Sequence, residues 1–361
     1  MKKFLLKMLE IYHGIPFKLQ RWMTNDEAKS IEKNFSSLCD CVDKGGAYYV
    51  SYRIRPQTTD TANESIDISD NSRIGIVIQG PYFHGFTDES IRLYRKYYSN
   101  AIIVFSTWKG LPKEAEEVLK ALDVIVVESE EPICSGRLNI NFQIINSAAG
   151  IEAAIENGAE YICKIRSDQR MYHPMALSYL CALVNTFPLG DLAQNQDRRI
   201  VTVTMPYGNM FQPFYISDFF YFGKSNDIKK LFYISLDKRD KGGFSKGASK
   251  REMAEKDMAP ESIFMRNFAR LTQQPYDCTV KDYWGFVKNS LICINRNDVG
   301  LFWNKYSEKK DEARWNGYYD TREMKGEYSL YNFDFCNWLS LYTGELRYKE
   351  DYESLSEFVF K

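Results

Sequence analysis

Histidine is scarce: three in 361 residues, at positions 13, 84 and 173. They lie too far apart for the usual ligand spacing of a zinc site and offer no Ser-His-Asp constellation. The eight cysteines, at 39, 41, 134, 163, 181, 278, 293 and 336, contain no C-x-x-C pair. Cys163 and Cys293 sit inside apolar runs like small buried hydrophobes, so the set reads as reduced thiols of a cytoplasmic protein. No apolar run is long enough to span a bilayer, and the start shows no signal-peptide core. No GxGxxG follows the first strand, which counts against a classical dinucleotide fold. The absence of GxxxxGK[ST] excludes a P-loop NTPase, and no GxSxG elbow is found. Neither charge dominates: 47 Lys+Arg face 48 Asp+Glu, a net charge of -1. That balance argues against a nucleic-acid partner held by bulk charge.

What the chain does have is aromatic: 25 Tyr, 23 Phe and 6 Trp, enough for a ring-rich core with rings to spare for a sugar or base. Phe4, Leu5, Met8, Leu9, Ile11 and Tyr12 recur at helical spacing among Lys2, Lys3, Lys7, Lys18 and Arg21. Residues 1–22 therefore read either as a helix packed on the protein or as one lying on an anionic membrane face. Residues 56–72 are polar and turn-rich, as in a linker. After them a rhythm begins. Short apolar runs at 74–79, 101–105, 124–127 and 161–165 alternate with helical patterns at 87–99, 112–122 and 139–157. Such alternation predicts βαβ units and a parallel sheet covered on both faces. Further on, 174–187 and 260–271 read as helices, and 200–204 and 219–222 as strands. The lysine- and glycine-rich stretch 237–257 reads as a loop, solvated or closing over an anionic ligand. The expected organisation is an N-terminal helical extension and linker (1–71), a catalytic domain (72–300) and an aromatic-rich C-terminal extension packed on it (301–361).

In a doubly wound sheet, ligands bind outside the carboxyl ends of the strands. Here those ends are polar. They supply Gln79, Gly80, Pro81 and Tyr82; Thr107 and Trp108; Arg137, Asn139 and Gln143; and Arg166, Asp168 and Arg170. The run Arg166-Ser167-Asp168-Gln169-Arg170 sets one carboxylate between two guanidinium groups. The carboxylate suits Mg²⁺ or Mn²⁺ and the arginines suit phosphate oxygens; the competing reading is a structural ion pair.

The segments Ile76-Val77-Ile78-Gln79-Gly80-Pro81, Ser106-Thr107-Trp108, Asn139-x-Asn141-x-Gln143, Lys164 to Arg170 and Ser217-Asp218-Phe219-Phe220-x-Phe222-Gly223, in that order, resemble the WavE family, associated with bacterial lipopolysaccharide core and capsule synthesis. The resemblance covers about residues 72–300. More distantly the chain is similar to nucleotide-sugar glycosyltransferases of the GT-A fold, with Arg137 and Asn139, then Gly150-Ile151-Glu152-Ala153-Ala154, then Gly158-Ala159-Glu160-Tyr161. In that alignment Arg166-Ser167-Asp168 stands where those enzymes carry Asp-x-Asp. Asp168 keeps the acidic residue that reaches the metal, and Arg166 replaces the other.

The resemblance implies a GT-A-like α/β fold with a mixed, mainly parallel sheet, a nucleotide-sugar donor, a glycan or lipid-linked acceptor, and a divalent metal, Mn or Mg, at Asp168. On this reading Gln79, Gly80, Pro81, Thr107, Trp108, Arg137, Asn139, Gln143, Arg166 and Arg170 bind the donor. Two carboxylates are candidates for the catalytic base of an inverting transfer, and Glu261 is the favoured one. Glu261 opens a helix, whose amino end should keep it ionised, and Asp218 precedes an apolar strand as a ligand of the acceptor hydroxyl. A nucleotidyl- or phosphotransferase of sugar activation and a non-enzymatic glycan-binding protein remain the alternatives. The expected location is the cytoplasm, in peripheral contact with the membrane through residues 1–22.

Overall fold

The computed structural model describes residues 27–45, 55–62, 67, 69–204, 209–239, 259–304 and 331–359, with isolated positions besides. It divides into two compact units, Met1–Gln57 and Thr58–Lys361. The first contains helix α1 (Glu27–Gly45). Most of the predicted helix over residues 1–22 lies outside the described residues, but Tyr12, Ile15 and Leu19 are helical and exposed.

The second unit is built on a seven-stranded sheet in the order β3-β2-β1-β4-β7-β6-β8. Its strands are β1 (Ile74–Gln79), β2 (Ile102–Trp108), β3 (Ile125–Ser129), β4 (Tyr161–Arg166), β6 (Ile200–Val203), β7 (Tyr221–Lys224) and β8 (Leu291–Ile294). The four strands read from apolar runs are β1 to β4, and their pairings with one another are parallel. β7 enters antiparallel to both β4 and β6, and β8 runs parallel to β6, so the sheet is mixed and mainly parallel as expected. All six residues of β1 are buried, which explains the unbroken apolar run: the strand is covered on both faces.

Among the described residues the unit also contains helices α2 (Thr87–Tyr97), α3 (Lys113–Ala121), α4 (Ile140–Glu156), α5 (Ala176–Thr186), α6 (Ser225–Leu231), α7 (Pro260–Leu271), α8 (Val280–Ser290), α9 (Phe335–Thr343) and α10 (Asp351–Val359). A second sheet pairs β5 (Gln169–Met171) with β9 (Leu301–Trp303), antiparallel. No local pattern announced this ribbon, because its two strands are short and far apart in sequence. The strand expected at 219–222 instead starts at Tyr221. Phe219 and Phe220 are fully buried ahead of it, and Phe219 packs on the Trp303 ring at 4.9 Å. Ring packing fixes this segment before the ladder begins.

α4 decides where the site lies. It crosses the face of the sheet presented by Gly75, Val77 and Gln79 of β1, Ser106 and Trp108 of β2, and Ile162, Lys164 and Arg166 of β4, which alternation and register put on one side. The approach is close because α4 carries glycine there. A Cβ on Gly150 would stand 2.7 Å from Val77 Cγ1 and 2.8 Å from Ser106 Cβ. Replacing a helical glycine by alanine ordinarily stabilises by about 1 kcal/mol. Here the added methyl meets β-sheet atoms that cannot yield, and Gly150→Ala should destabilise the protein by about 1–3 kcal/mol in denaturant unfolding. Unchanged or raised stability would mean that α4 is free to lift off the sheet.

Candidate functional site

β4 delivers two cations to the α4 face. Lys164 and Arg166 are two residues apart and point the same way. Lys164 is completely buried. Its Nζ donates to the main-chain carbonyl of Asp218 at 3.1 Å and lies 5.5 Å from the centre of the Phe232 ring and 6.0 Å from that of Tyr221, its partner residue in β7. Among the described residues it forms no ion pair. Burial pulls its pKa down to about 7, against which the charge of Asp218 works. Arg166, at the strand end, keeps a quarter of its side chain accessible. Its Nε and Nη2 donate to the two oxygens of Asp168 at 2.9 and 3.0 Å, and its guanidinium lies over the Trp303 ring at 5.2 Å.

Two carboxylates face this strand from the second half of the sheet. Asp218 lies in the segment leading to β7, and its Oδ2 accepts from Gln143 Nε2 at 2.6 Å, which joins the segment to α4. Glu261 is the second residue of α7, and the Tyr215 hydroxyl donates to its carboxyl. The helix-start argument predicted an ionised Glu261, and the surroundings of the side chain work against that. Loss of hydration in the packed crevice, reinforced by the neighbouring charge of Asp218, drives its pKa well above the carboxylate range. The effect of a helix end is small beside that of burial. Glu261 nevertheless keeps part of its surface accessible, as does Asp218.

The other predicted residues divide. Gln79 ends β1 on the α4 face, and its Oε1, like that of Gln143, is buried without a hydrogen-bond partner among the described residues. Buried polar atoms of this kind call for a ligand or water. Gly80 has a φ of +134°, and a Cβ there would stand 2.5 Å from Ser167 Oγ, so the turn after β1 requires glycine. Trp108 is on the α4 face with its ring edge on Phe142 at 5.1 Å. Thr107, one residue back, is buried and alternation turns it to the opposite face, away from Gln79 and Arg166. Pro81 is exposed.

Arg137 and Asn139 occupy a strained entry to α4. Gly136, Leu138 and Asn139 all have positive φ, at 67°, 49° and 65°. For a leucine that costs about 1–2 kcal/mol and needs outside support. Asn141 supplies it. Its Nδ2 donates to the carbonyls of Cys134 and Asp237, and its Oδ1 accepts from Asp237 N–H. Asp237 in turn receives the Arg137 N–H and the Arg239 guanidinium. The start of the predicted lysine-rich loop is thus fastened to the start of α4; residues 240–251 lie outside the described residues. Arg170 does not join the cluster. Its guanidinium donates to Ser90 Oγ, the Phe86 carbonyl and the Tyr172 hydroxyl, holding the ribbon β5–β9 to the start of α2. Sequence reading passed over Lys164, Tyr215 and Asp237 as site residues. An isolated lysine in the middle of an apolar strand was the available signal.

Asp168 was the predicted metal ligand, and its surroundings do not fit one. Both its oxygens lie in the Arg166 fork, and among the described residues no group of three or more His, Cys, Asp or Glu side chains could hold an ion. A cation at Asp168 would sit against a guanidinium.

The sequence model for WavE lipopolysaccharide synthesis matches residues 74–360, every strand named above included. The chain belongs to the WavE family. No curated protein matches it. Among solved structures, this WavE chain is similar to a cytidylyltransferase from Leptospira borgpetersenii, at 17% identity over 45% of this chain and 65% of that one with a TM-score of 0.26. It is also similar to a mannosyltransferase from Pyrobaculum calidifontis in complex with GDP-mannose and Mn²⁺, at 12% identity over 62% and 63% with a TM-score of 0.32. The chain spans less than two thirds of either protein, and any function assigned to this WavE protein rests on its own site and family.

Lys164 gives this site a stability signature. Its pKa is about 7 in the fold against an ordinary 10.5, so between those values the unfolded chain binds the extra proton and folding stability rises with pH. Below pH 7 the full penalty of burying the charge is present. Lys164→Met should therefore raise the melting temperature at pH 6, and its advantage should shrink as pH climbs toward 10. A melting temperature lowered at every pH would make Lys164 a structural strut.

Proposed function

We propose that this WavE protein is a glycosyltransferase that moves a sugar from a nucleotide-sugar donor to a growing bacterial surface glycan such as a lipopolysaccharide core, O-antigen or capsule. The observation that carries the reading is the gathering of Arg166, Asp218 and Glu261 at the carboxyl ends of parallel strands, where open α/β sheets bind ligands. The diphosphate of the donor lies at Arg166, whose accessible edge suits phosphate oxygens. Gln79, Trp108, Gln143 and the backbone at Arg137–Asn139 border the same face and supply neutral contacts for base, ribose and sugar. The sugar's anomeric carbon then faces the second half of the sheet.

There the acceptor hydroxyl attacks. A carbon–oxygen bond forms at the anomeric centre while the bond to the phosphate oxygen breaks, and the nucleoside diphosphate leaves with the electron pair. The hydroxyl proton needs an ionised carboxylate within reach. Burial favours the protonated form of Glu261, so the assignment moves: Asp218, steadied by the Gln143 amide, takes the proton, and Glu261 stays protonated beside it as a hydrogen-bond donor. With burial favouring a proton on Glu261, the two carboxyls divide the roles of base and donor.

A lipid-linked acceptor places the reaction at the cytoplasmic face of the membrane. The exposed helical residues Tyr12, Ile15 and Leu19, in a segment carrying Lys2, Lys3, Lys7, Lys18 and Arg21, support peripheral contact there.

Incubation with a panel of nucleotide sugars should release free nucleotide with one of them. With that donor Asp218→Asn should lower kcat by about 10²–10⁴-fold at little change in donor binding. Glu261→Gln, which copies a protonated carboxyl, should retain most of the rate. Loss in Glu261→Gln alone would return the base to Glu261. Equal rates in both would point to a retaining reaction without a protein base, and no release from any donor would refute the glycosyltransferase reading.

A further inference from the structure

We propose that Lys164 and Arg166 together stand in for a divalent cation at this site, so that the donor's diphosphate binds without metal. The proposal rests on the donor reading above and specifies its electrostatics. Three facts lead to it.

The first is the strand end itself. An ion at Asp168 would need that carboxylate, and the Arg166 fork already engages both oxygens with a fixed positive charge. A second metal ligand from the same strand is missing, since position 166 is arginine. Asp218 and Glu261 are turned to other partners, Gln143 and Tyr215.

The second is Lys164. Its ammonium is wholly enclosed and lies within electrostatic reach of Asp218, Asp168 and Arg166. An ammonium has three N–H donors, and the contact described for it is one main-chain carbonyl. A buried cation without an ion pair is a large expense for a fold to carry, and such groups concentrate where they serve a ligand. Hydrophobic neighbours Tyr221 and Phe232 keep its field unscreened on two sides.

The third is the arrangement of the two cations. They lie on one face of β4, two residues apart, about 6.6 Å along the strand. Arg166 is partly accessible and lies over the Trp303 ring, which steadies its guanidinium for phosphate oxygens. Lys164 lies beneath. It does not touch the donor; it supplies positive potential from below and holds the Asp218 segment by its carbonyl. When the diphosphate arrives, Arg166 exchanges part of its Asp168 contact for phosphate. The arriving anion favours the charged form of Lys164, and the two cations then do what a dissociable ion of charge two does at an Asp-x-Asp strand end.

The test is calorimetric and begins with the wild-type full chain. UDP, GDP, CDP and CMP are titrated in EDTA and in millimolar Mn²⁺, and Mn²⁺ is titrated alone. The proposal expects one nucleotide to bind with the same affinity, within about twofold, in both conditions, and no binding of Mn²⁺ alone. Arg166→Ala should then weaken that nucleotide by about 10–100-fold, as loss of a charged phosphate contact does. Lys164→Met should weaken it by about 10-fold, with near-ultraviolet circular dichroism checking that both variants are folded. Arg166→Asp, which restores Asp-x-Asp, should acquire Mn²⁺ binding. Nucleotide binding that drops tenfold or more in EDTA, with Mn²⁺ bound by the wild type, would overturn the proposal and leave the donor reading standing. No nucleotide binding in either condition would overturn both. Unchanged affinity in folded Lys164→Met and Arg166→Ala would also overturn it.

Discussion

The structure turns on one expensive feature: an ammonium group buried in the layer between the central sheet and α4, with a backbone carbonyl for its partner. Lys164 occupies a position that its neighbours fill with apolar residues, Ile162 on the same face of β4 and Val77 beside it in β1. Its charge makes sense only with the groups above it. Arg166 lies over it along the strand, Asp218 caps it, and Glu261 lies near Asp218, where burial raises its pKa. Each of these side chains comes from a different stretch of the chain, and the sheet is what brings the stretches together. β4 contributes the cations, the reversal into β7 contributes Asp218, and the first turn of α7 contributes Glu261.

The fold was legible where burial is uniform. Continuous apolar runs gave β1 to β4 and their parallel order of connection, because a strand covered on both faces has no polar positions to confuse the pattern. The candidate site was legible in part. The rule that ligands bind at carboxyl strand ends led to Gln79, Arg166 and Asp168 without any knowledge of contacts. Three things escaped. Thr107 was grouped with Trp108 although strand alternation separates them. Arg170 was read as a twin of Arg166, but a turn at Ser167–Asp168 and the pairing of β5 with β9 send it to the other end of a ribbon, and nothing local could reveal a partner strand at Leu301–Trp303. Glu261 was assigned a charge from its place in a helix, a local rule, whereas its proton is governed by packing that only the tertiary fold creates.

Strain and closeness mark the same region. The positive φ values at Gly136, Leu138 and Asn139 lie at the entry to α4, and Gly150 lets that helix settle on β1 and β2. Asn141 ties the strained turn to Asp237, so the amino end of α4 is fastened to the start of the lysine-rich segment. A helix pressed this closely to the sheet leaves its first turns little freedom, which suits the donor site proposed above.

The most direct measurement is a crystal structure of the protein with the released nucleotide bound. The account predicts density over the carboxyl ends of β1, β2 and β4 on the α4 face, with phosphate oxygens within hydrogen-bond distance of Arg166 and Asp218 open toward the sugar side. Nucleotide found instead in the cleft of about 510 Å³ at the other end of β4, lined by Glu160, Arg198, Lys224 and Asn226, would contradict it.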